Sequence, residues 1–391
     1  MRVCMVVYSS YESDNRVLRY AESLALRGGH VDVISLRKEG QSPRGELNGV
    51  QVFRIQKREY DEKRKSDYFF KILLFWFRSM FLLSMKHLRR RYDVIHVHSV
   101  PDFLVFTAWL PKITGSGIIL DIHDLVPEFY ASKFNKPANS LVVRALRLVE
   151  RLSIAFSDHV IIANHLWRDT LLSRSVKSAK CSVVLNLPDR SLFCDCVKTR
   201  KDGKFVVLFP GTLNWHQGLD IAIRAFSLMK DQAPGAELHI YGEGSAKPSL
   251  LALVQELGLQ ERVLLRDGVP IAEVAQLMAN ADMGVVPKRS DSFGNEAFST
   301  KILEFMALRV PVVVADTKID RYYFNDSLVK FFHSGDPEDL AHSILLLMRD
   351  ANLRESLAQN GAAFVEKNNW DAKKEEYLQL VDSLVGVRGS Q

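Results

Sequence analysis

The chain has 391 residues, 47% hydrophobic and 25% charged, with a formal net charge of +6. That length suits two or three domains with cores of their own, and the composition excludes a disordered or fibrous protein. The basic excess is too small to mark a nucleic-acid binder.

The four cysteines, Cys4, Cys181, Cys194 and Cys196, make neither a CxxC pair nor a ligand quartet, so neither a zinc nor a redox site is expected. Cys4 falls in an apolar run and reads as core. A reducing cytoplasm is the expected compartment. The opening MRVCMVVYSS runs directly into a strand and lacks a signal-peptide cleavage pattern.

Strand-like apolar runs occupy residues 3–8, 31–36, 50–55, 94–98, 118–122 and 159–163, with helix-length amphipathic segments between them. Near-continuous apolar strands with helical crossovers predict a parallel, doubly wound sheet. Gly28-Gly29 closes the first helix, the usual C-terminal use of glycine. Residues 68–91 read YFFKILLFWFRSMFLLSMKHLRRR. Their uncharged pieces, 72–77 and 79–85, fall far short of the roughly 20 residues a spanning helix needs. Two readings stay open. One is an interfacial helix, with Lys71, Arg78, Lys86 and Arg89-Arg90-Arg91 meeting anionic lipid. The other is a helix packed inside the first domain with its arginines in water.

Around 186–204 the composition shifts to Asn186, Pro188 and Asp189, then VKTRKDG, which reads as an interdomain linker. Alternation restarts with apolar runs at 205–209, 237–241, 263–265, 283–286, 310–314 and 329–332. A first domain over 1–190 and a second Rossmann-like domain over 204–368 are therefore expected. A C-terminal segment, 369–391, carries a last helix at about 370–385.

The densest chemical signal is EAFSTKILE, which sets Glu296 and Glu304 eight positions apart, after the strand-like run ending at Pro287. In open α/β sheets ligands bind where loops leave the carboxyl ends of strands. Glu296 is thus expected on such a loop, beside a helix N-terminus whose free amides, near Ser299 and Thr300, favour phosphate. A carboxylate suited to sugar hydroxyls beside amides suited to phosphate points to a nucleotide-sugar site. The plainer reading is two glutamates on a solvated helix.

Elsewhere, IILDIHDLVPE puts His123 at the carboxyl end of a strand, where it meets a ligand or simply bonds to Asp121 or Asp124. His96 and His98 share one strand face, but two histidines do not make a metal site. Tyr241-Gly242-Glu243-Gly244 follows a strand without GxGxxG spacing, a weak dinucleotide signal. Neither domain opens with a glycine-rich fingerprint, which argues against a nicotinamide dehydrogenase. Asp14-Asn15-Arg16 starts a helix, where Asp and Asn are also ordinary N-caps.

PGTLNWHQGLD, HIYGEGS, VPKR, STKILEFMA and TKIDRYYF, in that order, resemble the family 4 retaining glycosyltransferases of the bacterial surface-polysaccharide type. The resemblance covers nearly the whole chain. It implies the GT-B fold, two Rossmann-like doubly wound domains facing a central cleft, with the last helix crossing back to the first domain. It also implies hexosyl transfer, with retained configuration, from a nucleotide-diphosphate donor to a hydroxyl of a lipid-linked glycan. No nucleic acid, cofactor or obligatory metal is expected. Lipid-linked acceptors imply peripheral contact with the inner face of the membrane through residues 68–91.

By the same resemblance, His123 and Glu296 stand at the reaction centre and Glu304 holds the ribose hydroxyls. Gly211, Thr212, Gln217, Gly242 and Glu243 line the nucleotide site, Ser299 and Thr300 offer amides, and Asp14, Asn15 and Arg16 face the acceptor. One departure matters. Many members carry an arginine and a lysine where this chain has Thr212 and Gln217. Lys288-Arg289 and Lys301 are the available replacements, and Lys288 with Arg289 are expected to neutralise the diphosphate. Two other readings remain: a GT-B-fold nucleotide-sugar epimerase, which the glutamate pair argues against, and a non-catalytic nucleotide-sugar-binding or membrane-docking protein.

Overall fold

The computed structural model describes residues 1–57, 65–134, 136–188, 190–193 and 196–386; Asp189 and Cys194 lie outside them. The chain divides into two compact units, Met1–Asn186 together with the residues from Lys373 onward, and Leu187–Ala372. The boundary falls at the front of the 186–204 segment, and each unit is built on one sheet.

In the first unit the strands are β1 (Arg2–Ser10), β2 (His30–Arg37), β3 (Arg44–Leu47), β4 (Val50–Lys57), β5 (Val94–His98), β6 (Gly117–Ile122), β7 (His159–Ile162) and β8 (Cys181–Val183). Their order is β3-β4-β2-β1-β5-β6-β7-β8. All pairs are parallel except β3 with β4. Every residue of β5 and β6 is buried. Their apolar runs are continuous because helices cover both faces of the sheet.

The helices used below are α1 (Asn15–Leu26), α2 (Lys65–Arg89), α3 (Trp109–Ile113), α4 (Val126–Lys133) and α5 (Leu141–Phe156). Residues 68–91 thus fall mostly in one helix. Its inner face, Ile72, Phe75, Ser79, Leu83 and His87, is buried. No described helix is long and apolar enough to cross a membrane.

The register of β5 against β6 sets His98 directly beside Asp121. Side chains two residues apart on a strand share a face. His96, His98, Asp121 and His123 therefore emerge on one side of the sheet. From Lys373 onward the helix Trp370–Gly386 belongs to this unit, and its Tyr377 hydroxyl lies 3.0 Å from His96 Nδ1.

The second unit holds β9 (Phe205–Pro210), β10 (Ala236–Tyr241), β11 (Val263–Arg266), β12 (Met283–Val286), β13 (Val312–Ala315) and β14 (Lys330–Phe332). All are parallel, in the order β11-β10-β9-β12-β13-β14. The chain moves one way from β9 to β10 and β11 and the other way from β12 to β14. The topological switch point, where α/β sheets bind ligands, thus lies between β9 and β12.

Candidate active site

Two loops leave the sheet at that switch point. From β9 comes Gly211 to Gly218, and from β12 comes the segment that ends at the helix Thr300–Ala307. The loops are tied together, since the Arg289 amide donates to the His216 carbonyl at 2.9 Å. The close fit depends on glycine. A Cβ on Gly211 (φ +145°) would lie 3.0 Å from Lys301 Nζ and closer still to its Cε. A Cβ on Gly242 would fall inside the Gly211 carbonyl. Gly242→Ala is therefore expected to cost about 1–3 kcal/mol, as over-packing does. The check is a denaturant midpoint with an unchanged slope.

Lys301 is laid across this floor, with its ammonium 5.1 Å from the centre of the Phe209 ring. It makes no hydrogen bond or ion pair among the described residues. Burial pulls its ammonium below the ordinary lysine range; Glu304 opposes that pull and Lys288 adds to it. Charged groups held this way, in a loop cluster at a switch point, favour anions.

The helix N-terminus adds to the same field. Ser299 is the N-cap, but its side chain makes no capping bond, and its buried Oγ has no partner. The amides of Ser299, Thr300 and Lys301 donate to no described acceptor. An orphan hydroxyl and three free amides beside an ammonium make a ready cradle for phosphate.

The glutamates differ in setting. Glu296 lies in the turn before the helix, with Oε1 2.8 Å from Lys318 Nζ, whose side chain is 58% exposed. Such a surface pair holds about 0–1 kcal/mol and yields readily to a ligand. Glu304 sits half-buried in the second turn of the helix, near enough to Lys301 to act on its charge.

The structure corrects the expectation for Lys288. This side chain is 2% exposed, with Nζ 2.9 Å from Asp320 Oδ2 and donating to the Ala297 carbonyl at 2.7 Å. Its charge is already neutralised, and it anchors the 296–299 turn from beneath. Arg289 lies 3.7 Å over the Trp215 ring and donates to Asp220 Oδ2 at 2.5 Å, so it clamps the β9 loop. Lys301 is the cation these contacts leave available.

The remaining positions are plainer. Thr212 is exposed, and the Gln217 amide lies 3.0 Å from His216 Nε2. The Glu243 carboxylate accepts from Lys247 at 2.8 Å, while its carbonyl accepts from the Leu213 amide at 2.8 Å. That backbone bond, not the side chain, is what braces the Gly211 loop.

In the first unit, His123 lies at the end of β6 with Nε2 3.1 Å from Asp121 Oδ2. The same oxygen is 3.2 Å from His98 Nδ1 and accepts from Arg16 Nε at 2.8 Å. Arg16 completes a bidentate pair through Oδ1 at 2.7 Å. For Asp121, burial alone would raise the carboxyl. The Arg16 guanidinium, then His123, hold it well below the usual carboxylate range. For His123, burial would lower the imidazole, but Asp121 more than offsets this and raises it. His96 and His98 are pushed down, chiefly by burial, which disfavours their charged forms.

The ligand atoms of His96, His98 and Asp121 lie within 4.8 Å of one another. Arg16 pairs with both oxygens of Asp121, so a metal ion there would meet a buried guanidinium, whose like charge disfavours it. The same pairing corrects the expectation that Arg16 faces an acceptor, because it is 6% exposed and turned inward. Asp14 is the N-cap of α1, accepting from the Val17 amide at 3.3 Å. The Asn15 carbonyl accepts from Arg19 at 2.8 Å. Of the two carboxylates that organise these clusters, Asp121 was expected only as a neighbour of His123, without Arg16, and Asp320 was not expected to matter. Their partners lie 105 and 32 positions away, and no local pattern marks such pairs.

Residues 13–186 match the glycosyl transferase 4-like domain, and residues 196–364 match the glycosyl transferases group 1 family. The chain belongs to this family of glycosyltransferases. An uncharacterized glycosyltransferase of Methanocaldococcus jannaschii is 24% identical over 394 residues, covering 94% of this chain and 93% of the relative. Sucrose-phosphate synthase from Thermosynechococcus elongatus superposes with a TM-score of 0.81 at 17% identity, over 99% of this chain and all of that one. Anabaena HepE, solved in complex with UDP and glucose, superposes with a TM-score of 0.72 at 17% identity, over 98% of this chain and all of that one. The two units are the two Rossmann-like domains of a GT-B glycosyltransferase.

Proposed function

We propose that this glycosyltransferase moves a hexosyl group from a nucleoside-diphosphate sugar to a hydroxyl of a lipid-linked glycan, with retained configuration, in cell-surface polysaccharide assembly. The observation that carries the donor half is Lys301. Its ammonium lies over the Gly211 loop at the switch point, beside three free amides and the unpartnered Ser299 hydroxyl.

In this reading Lys301 and the helix N-terminus take the diphosphate charge as the glycosidic bond breaks. Electrostatic preorganisation of this kind is usually the largest catalytic contribution. Glu304, one turn deeper, accepts from the ribose hydroxyls. Glu296 exchanges its exposed Lys318 partner for hydroxyls of the donor sugar. His123 is the polar group expected at the reaction centre, a role that rests on the motif resemblance. Retention and the glycan acceptor rest on it too. The charge neutralisation needs no metal here, because the chain supplies its own cation.

HepE was solved with UDP and glucose, so a uridine-diphosphate sugar is the first donor to test. The experiment is a thermal-shift series with UDP-, GDP-, ADP- and dTDP-sugars on the wild type and Glu304→Ala. A ligand at a hundred times its dissociation constant stabilises the native state by about 2.7 kcal/mol. A shift with one nucleotide series, absent in the variant, is the expected result. No shift with any of them would overturn the donor assignment.

A further inference from the structure

Two helices of the first unit present apolar residues on the side turned away from the protein. On α2, the residues Phe70, Leu74, Phe77, Phe81 and Leu88 are between 45% and 72% exposed. At 100° per residue they fall in a stripe about 60° wide, opposite the buried Phe75, Ser79 and Leu83. On α5 the same device recurs. Leu141, Leu148 and Leu152 are 52% to 80% exposed and form one stripe, opposite the buried Val143, Glu150 and Ile154.

The two stripes belong to one surface. The crossovers from β4 to β5, β5 to β6 and β6 to β7 all step in the same direction across the sheet, so right-handed connections put α2, α3 and α5 on one face. Both α2 and α5 pack against the turn Asp102–Ala108 that lies between them. That turn leads into α3, which itself exposes Trp109 and Ile113.

Cations border the apolar stripes. Arg78, Arg89, Arg90 and Arg91 are exposed at α2 and just beyond it, and Arg144 and Arg151 are exposed on α5. Acidic charge hardly balances them. On these two helices the described acids are Asp67 and Glu150, and Glu150 is buried against Arg174 at 2.5 Å. A second copy docked on this face would set arginine against arginine, which disfavours self-association.

We infer that α2, α3 and α5 form one membrane-binding face, which lies flat on an anionic phospholipid surface. The aromatic and leucine side chains enter the headgroup boundary and the arginines meet lipid phosphates. The segment 68–91 alone suggested a single interfacial helix; the structure enlarges it to three elements, with half of the apolar contact coming from α3 and α5. The inference does not depend on the donor site.

The test is co-sedimentation of the full-length protein with vesicles of phosphatidylcholine alone, and with 30% phosphatidylglycerol added. The variants are Phe77→Ser/Phe81→Ser and Leu148→Ser/Leu152→Ser, each checked for an unchanged melting temperature. Because these side chains are exposed, both variants should stay folded. The expected result is binding to anionic vesicles only, weakened about tenfold or more by either pair and by raised salt. Equal binding to both vesicle types, or none to either, overturns the inference. So does wild-type affinity in the Leu148/Leu152 variant, which would shrink the face to α2. Sedimentation showing a dimer that either pair dissolves would assign the face to a second copy instead.

Discussion

Replacing Lys301 with methionine should lower turnover by about a hundred- to a thousand-fold while leaving the melting temperature within a few degrees of the wild type. The magnitude is that of deleting one preorganised charge-stabilising group. Stability should hold because methionine keeps the stem that packs over Gly211 and Phe209 and removes only an ammonium that burial disfavours. Lys288→Ala should behave in the opposite way. That change strands the fully buried Asp320 carboxylate, and breaking a buried pair costs about 3–5 kcal/mol. The two variants, measured side by side for kcat/KM and for denaturant midpoint, separate a charge used on the donor from one used on the fold. Near-normal turnover in Lys301→Met would sink the donor assignment of this residue. A stable, slow Lys288→Ala would restore Lys288 to the site.

That contrast also marks how far a reading of the sequence reaches. The parallel strands were legible because burial on both faces makes them near-continuous apolar runs. The two missed strands differ in kind. The strand β8 is three residues long, too short to show a period. The edge strand β3 was announced by Leu47-Asn48-Gly49-Val50, a two-residue hairpin in which Asn48 and Gly49 both take positive φ. Arg44–Leu47 itself has no apolar alternation to mark a strand.

At the site, Glu296, Glu304 and the helix N-terminus are local in sequence and could be found by spacing. Which of three nearby cations is available could not. Lys288 and Lys301 look equivalent until Asp320 arrives from beyond the next strand to claim one of them. Likewise His123 was legible as a strand-end histidine, while the carboxylate that sets its charge depends on Arg16 from α1. Charge partnership across a sheet is a property of register and topology, and neighbouring letters do not carry it.

A loss of stability as large as that of Lys288→Ala is expected at that carboxylate. Asp121 is fully buried and accepts both arms of Arg16, with His98 and His123 on the same oxygen. Asp121→Asn would leave the guanidinium of Arg16 buried without its counter-charge, at a cost of about 3–5 kcal/mol. Leucine at both positions should be far less damaging than either single change, because a buried pair replaced whole by apolar groups is often near neutral. A double-mutant cycle measured by denaturation would read the coupling directly.

The pH dependence has a defined sign. The Asp121 carboxyl is held below its unfolded value, so its contribution is present above the ordinary carboxylate range and is lost as pH falls through the depressed native value. Wild type should therefore resist acid to a lower pH than Asp121→Asn. His123 is raised by Asp121, so its contribution is complete below the ordinary imidazole range and fades as pH rises through the raised native value. In Asp121→Asn, burial acts on His123 with no carboxylate to offset it, and the imidazole should titrate at lower pH than in the wild type. Two-dimensional NMR of the histidine rings would follow this shift. An unmoved His123 in the variant would mean that Asp121 serves Arg16 alone, and that the histidine owes its charge to something else.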